Sequence, residues 1–148
     1  MIHYLKGDAT RPQISGPKII CHICNDLGKW GAGFVLALSA RWTAPEACYR
    51  EKDEYTLGTV ELIPVEDDIM VANMIAQHNV CGYDDADEPP IRYGAVRVAL
   101  AAVNDAAYIC GGTLHMPRIG CGLAGGKWSE IEKIILEICD VDVYVYDL

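Results

Sequence analysis

Cys21 to Trp42 reads CHICNDLGKWGAGFVLALSARW, and the order of its parts decides the fold. An apolar, β-rich run ends in Asn25-Asp26; Gly28, Gly31 and Gly33 follow, and from Phe34 onward the apolar residues take a helical pattern. A strand that runs out through a glycine loop into a helix start is the repeating unit of an open α/β sheet. In such sheets ligands collect in the crevice beyond the carboxyl ends of the strands. Bare glycines let successive amide N–H groups point at one spot, and the unpaired N–H groups at the helix start add partial positive charge, so together they make an anion cradle. The segment lacks the third glycine of the dinucleotide fingerprint, and no Walker lysine pattern occurs in the chain. On spacing alone a tight structural turn and a phosphate loop fit Gly31-Ala32-Gly33 equally well.

Outward from this segment, β-rich runs alternate with helical patterns. Strands are expected at Ile2–Leu5, Lys18–Ile23, Thr59–Ile63, Ile69–Met74, Thr113–Met116 and Val141–Tyr146. Helices are expected at Phe34–Arg41, Pro45–Lys52, Arg92–Ala107 and Ser129–Ile138, with Ser129 as a cap for the last. The runs KIIC and IMVAN are nearly all apolar, as inner strands covered on both faces must be. No linker and no 20-to-50-residue period divides the chain, so residues 1–148 are expected to form one α/β domain. Cys81 to Pro90, CGYDDADEPP, reads as a solvated loop or as a lid over a site.

A second glycine loop follows the strand Thr113–Met116. Met116 to Trp128 reads MPRIGCGLAGGKW, in which Gly120, Gly122, Gly125 and Gly126 lead into the last helix. Two such loops at one sheet edge can grip a diphosphate from both sides without Lys or Arg.

Composition narrows the function. With 12 Lys and Arg against 21 Asp and Glu the formal net charge is −9, which argues against broad nucleic-acid binding, since that depends on clustered cations releasing counterions from phosphates. No apolar run reaches the roughly 20 residues that cross a bilayer, and Met1 to Thr10 has no secretion-signal pattern. Seven irregularly spaced cysteines read as small buried hydrophobes in a reducing compartment, so a soluble, cytoplasmic protein without membrane contact is expected. Cys21-His22-Ile23-Cys24 has metal-like spacing, but strand residues three apart point to opposite faces and no further ligand pair follows. Neither a metal nor an organic cofactor is expected. His22 is either a packed strand histidine or a group near the ligand. Asn73, Gln77 and His78 either bond sugar hydroxyls or cap the strand end. Trp30, inside the first loop, is the tryptophan best placed to touch ligand.

Four motifs in order, YLKGDAT (Tyr4 to Thr10), CNDLGKWGAGFVLALSARW, MPRIGCGLAGG and the closing VDVYVYDL, resemble the macrodomain family of ADP-ribose binders over nearly the whole chain. They look closest to the branch holding terminal ADP-ribose protein glycohydrolase and the fungal ADP-ribose-1''-phosphate phosphatase. The resemblance implies a three-layer α/β/α fold on a mixed, mostly parallel six-stranded sheet. It also implies that Asp8 accepts a hydrogen bond from the adenine amino group and that Asn25 faces the distal ribose. Gly31, Ala32 and Gly33 would form the first diphosphate loop, Gly120, Cys121, Gly122, Leu123, Ala124 and Gly125 the second, and Tyr146 would pack near adenine.

The chain departs from the glycohydrolase branch in its catalytic pattern. The aspartate that follows G-x-G-L there is Ala124 here, and no lysine occurs between Lys52 and Lys127, which argues against a lysyl intermediate. Water attack remains, with His22 or His78 as acid or base, Asn25 as orienter and loop amides stabilising charge. The leading expectation is therefore an ADP-ribose-binding macrodomain that slowly removes the phosphate of ADP-ribose-1''-phosphate. The alternatives are a non-catalytic ADP-ribose reader and a lysine-independent ADP-ribosyl hydrolase.

Overall fold

The computed structural model describes residues 1–80 and 88–148. The expected loop over 81–90 therefore lies mostly outside the described residues. The elements run β1 (Ile2–Lys6), β2 (Lys18–Asn25), α1 (Phe34–Arg41), α2 (Ala44–Arg50), β3 (Val60–Glu66), β4 (Ile69–Gln77), α3 (Tyr93–Cys110), β5 (Thr113–Met116), α4 (Trp128–Ile138) and β6 (Val143–Asp147). They form one sheet in the order β1-β6-β5-β2-β4-β3, in which every neighbouring pair is parallel except β3 with β4. The carboxyl ends of five strands thus meet at one edge. Gly7-Asp8 follows β1, Asp26 follows β2, His78 follows β4, Pro117 follows β5, and Asp147 ends β6 there.

Alternation along the inner strands sends successive side chains into two cores. Ile19 and Cys21 of β2 and Ala72 and Met74 of β4 join Leu100, Val103, Ile131 and Ile135 beneath α3 and α4. Ile20 and Cys24 of β2 and Val71 and Ile75 of β4 face Leu38 and Tyr49 of α1 and α2. Helices therefore cover both faces, which explains why β2 and β4 read as unbroken apolar runs. Cys21 and Cys24 fall in opposite cores. Each of the fully buried leucines and isoleucines contributes about 1.5–3 kcal/mol through removal of its surface from water.

One expected cap is corrected. Helix α4 begins at Trp128 with Lys127 at the N-cap position and no side-chain cap, so Ser129 lies inside the first turn. The helix start is fixed instead from a distance, by the Lys127 amide donating to the Tyr93 hydroxyl at 2.9 Å.

Candidate functional site

The glycine loops after β2 and β5 stand on adjacent strands, and both open into the same cleft. One part, of about 220 Å³, is bounded by Ala32 and Gly33 of loop one, by Pro117, Arg118, Gly120, Gly122, Leu123 and Ala124 of loop two, and by His22 on its floor. An adjoining part, of about 330 Å³, is bounded by Asn25, Lys29, Trp30, Gly31, Gln77 and Val80. Ala32, Gln77 and Leu123 border both, so the two parts are continuous.

Loop one is held by a single side chain. Asn25 Oδ1 accepts from the Leu27 amide at 3.0 Å, the Lys29 amide at 3.1 Å and the Tyr49 hydroxyl at 2.8 Å, while Nδ2 donates to the Lys29 carbonyl at 2.7 Å. Asn25 borders the cleft, and the Lys29 carbonyl takes one of its two Nδ2–H groups. The loop ends at Gly33, the N-cap of α1, whose φ of 83° and ψ of −147° only glycine adopts readily. No side chain caps α1; of its first-turn amides that of Leu36 donates to the Gly33 carbonyl at 3.1 Å.

Loop two is folded on itself. The Gly126 amide donates to the Gly120 carbonyl at 2.7 Å, and a Cβ on Gly126 would stand 2.5 Å from that oxygen, so the closure requires glycine. Gly120, Gly122, Leu123 and Ala124 line the cleft, whereas Cys121 and Gly125 do not.

His22 is 2% exposed, between the rings of Trp30 and Phe34. The Asn73 amide nitrogen donates to the Pro45 carbonyl, so its oxygen faces His22 Nε2 at 2.5 Å and that nitrogen carries the proton. Burial pushes the imidazole pKa down to about 4 against the opposing pull of the Asn73 bond. His115, buried beneath Tyr144, is likewise pushed down to about 4 by burial and by the Lys18 charge. Both rings are neutral when folded and take up protons on unfolding below the ordinary histidine pKa, so stability is complete above about pH 6.5 and falls as pH drops toward 4. Urea unfolding at pH 7 and at pH 5 is expected to differ by about 2 kcal/mol for each ring. Replacing His115 with Asn should remove roughly half of that difference; an unchanged difference would show that other groups carry it.

His78 has a different setting. It is half exposed, and its Nδ1 donates to Asp26 Oδ2 at 2.7 Å; Asp26 Oδ1 accepts the Asn79 amide at 2.8 Å. The pair orients the ring, with Nδ1 turned to Asp26 and Nε2 away from it, and stands beside the cleft residues Asn25 and Gln77. At the far side, Asp8 Oδ1 accepts both the amide and the hydroxyl of Thr10 at 2.8 Å, and Oδ2 accepts no hydrogen bond among the described residues. Tyr146 is buried, and its hydroxyl accepts from the Gln13 amide at 3.0 Å and bonds His115 Nδ1 at 2.9 Å. It therefore secures the segment that carries Asp8. Trp30 is 4% exposed, donates to Ser39, and borders the cleft.

Sequence reasoning missed Arg118 and Lys29, both of which line the cleft, against the expectation of a site without cations. Arg118 stands inside the MPRIG motif, one position before Ile119-Gly120, and that placement was the available signal.

No protein-family model matches the chain. It is 26% identical over 158 residues to the ADP-ribose 1''-phosphate phosphatase of Candida albicans, covering 99% of each protein. It is 31% identical over 151 residues to the chromodomain-helicase-DNA-binding protein 1-like of Danio rerio, where the match covers 90% of this chain but spans only 14% of the relative. Among solved structures, a macrodomain protein from Streptomyces coelicolor superposes with a TM-score of 0.85 at 44% identity, covering 100% of this chain and 99% of that one. Identity of that extent over the whole of both chains, with that superposition, shows that the chain belongs to the macrodomain family.

Proposed function

We propose that the chain binds ADP-ribose in this cleft, with the diphosphate between the amides of Gly31 to Gly33 and those of Gly120 to Ala124. The observation that carries the reading is the charge of the walls. In a protein of net charge −9, the described residues lining the cleft include no carboxylate, two cations and two turns of bare backbone N–H. Such a wall suits an anion. The distal ribose then meets Asn25 and Gln77, and the adenine end lies toward Asp8. The six described cysteines are all thiols, and no described helix is long and apolar enough to cross a membrane.

The reaction we assign to the site is removal of the terminal phosphate from ADP-ribose-1''-phosphate. Water attacks phosphorus, the bond from phosphorus to the sugar oxygen breaks, and ADP-ribose and inorganic phosphate leave. His78 is the better acid–base candidate, because Asp26 holds its Nδ1 and the ring is half exposed beside the cleft. His22, buried and neutral, acts as a positioning residue beneath loop one. The absence of His78 from the cleft wall itself favours the second reading, a reader that binds without turnover.

Calorimetry with ADP-ribose tests the binding shared by both readings, and no heat at high micromolar ligand would overturn them. Incubation with ADP-ribose-1''-phosphate separates them. Phosphate release that falls at least about 100-fold in His78→Ala, with ADP-ribose affinity kept, supports the phosphatase. Binding without release of phosphate supports the reader, and release of ADP-ribose from a mono-ADP-ribosylated protein would instead support a lysine-independent hydrolase.

A further inference from the structure

Helix α3 carries only two charged residues in its 18 positions, Arg97 and Asp105. Its inner face, with Val96, Ala99, Leu100, Val103 and Ala107, is buried in the core shared with the sheet and α4. Its outer face is largely apolar as well: Val98 is 60% exposed, Tyr108 72% and Ile109 84%, and Gly94, Ala101 and Ala102 stand among them. A helix packed on one side is polar on the other when water is its only neighbour there. Single exposed apolar side chains are ordinary, but a helix face of them broken by just two charges marks a contact surface.

The placement of those two charges selects what covers the face. Arg97 lies four positions before Ala101 and Asp105 four positions after it, so they sit about 6 Å to either side along the helix axis. Gly94 and Tyr108 are likewise seven positions to either side. If a second α3 crosses the first in the opposite direction, with a two-fold axis at Ala101, each Arg97 meets the Asp105 of the other copy and each Tyr108 meets the other Gly94. The space above Gly94 is open, since a Cβ there would touch nothing within 4 Å, so a tyrosine ring has room over it. A parallel pair would instead set Arg97 against Arg97 and Asp105 against Asp105. Arg97 Nη1 donates to Glu137 at 2.7 Å on α4, yet the side chain is half exposed and its remaining N–H groups have no partner among the described residues. Asp105 has no hydrogen bond or ion pair among the described residues, and its carboxylate can complete a Glu137–Arg97–Asp105 chain between copies.

We propose that the outer face of α3 is a self-association surface, on which two copies of this chain pair antiparallel about Ala101. The small side chain at the axis lets the helices approach to the short end of the roughly 8–10 Å spacing of packed helices. Helix α3 starts at the sheet edge that holds the cleft and ends at the opposite edge, so the two clefts open at opposite ends of the pair and neither is blocked. One helix face on each side is a small contact, and each copy carries a formal charge of −9, so the pair is weak, with a Kd on the order of 100 µM where salt screens the repulsion.

Sedimentation equilibrium of the full chain in about 0.15 M salt, from roughly 10 µM to 1 mM, tests this. The average mass of wild type is expected to rise toward twice that of the monomer. Arg97→Glu, Asp105→Arg and Gly94→Leu should each weaken pairing at least about tenfold, the first two by setting like charges together and the third by filling the space the tyrosine ring needs. All three positions lie at the surface, and Gly94 has no positive φ, so the variants keep the fold. An equimolar mixture of Arg97→Glu with Asp105→Arg restores an attractive partner at both crossings, and its mass should rise again with concentration. A wild type that stays monomeric at 1 mM would overturn the proposal and leave the face to a different partner. Pairing that survives the single substitutions, or a mixture that fails to associate, would overturn it too.

Discussion

Asn25→Ala is expected to lose about 3 kcal/mol of unfolding free energy and most of its ADP-ribose affinity at once. The substitution removes the acceptor for two loop amides and the donor to the Lys29 carbonyl, while the Tyr49 hydroxyl keeps the Asn25 main-chain carbonyl at 2.6 Å. Buried donors left without partners cost about 1–3 kcal/mol each, offset in part where the opened loop lets water in. Asn25→Asp keeps the acceptors but sets a carboxylate oxygen against the Lys29 carbonyl, so it should recover only part of the loss. Urea denaturation and calorimetry on the same three proteins check this. Retained stability with lost binding would mean that Asn25 acts on the ligand alone and does not build the loop.

Gly33→Val separates binding from stability in the opposite sense. A Cβ at Gly33 meets nothing within 4 Å, so no protein atom is pushed aside. The backbone conformation there nonetheless costs a non-glycine residue about 1–3 kcal/mol, which lowers Tm by several degrees in a chain of this length. The larger effect falls on the ligand. Two methyl groups at the N-cap of α1 would occupy the space assigned to the diphosphate, and a loss of at least about 100-fold in affinity is expected, comparable to removing several charge-assisted hydrogen bonds. Gly31→Ala is the control, because its φ is not positive and its Cβ position is also open. Near-normal binding by Gly33→Val would place the anion elsewhere.

The sheet could be read from the sequence because its inner strands alternate between two cores. KIIC and IMVAN had to be apolar on both faces, and the glycine loops mark where those strands end. The boundaries that moved are those set by partners far along the chain. β4 extends past Met74 to Gln77 because β2 continues beside it to Asn25, across a register shift that residue order does not show. The start of α4 depends on Tyr93, thirty-four residues earlier. Site residues followed the same division. Loop glycines announce themselves through spacing, whereas the Asp26 and His78 pair and the clasp of Arg118 with Asp147, Tyr4 and Trp128 exist only once strand ends distant in sequence are side by side. His22, for which the sequence left a packed and a ligand-side role open, is 2% exposed and still borders the cleft.

A crystal structure with ADP-ribose bound tests the central claim most directly. The account predicts diphosphate oxygens within hydrogen-bond distance, about 2.7–3.2 Å, of amides from both the Gly31–Gly33 turn and the Gly120–Ala124 turn. A diphosphate held by one turn only, or lodged outside the cleft between β2 and β5, would contradict it.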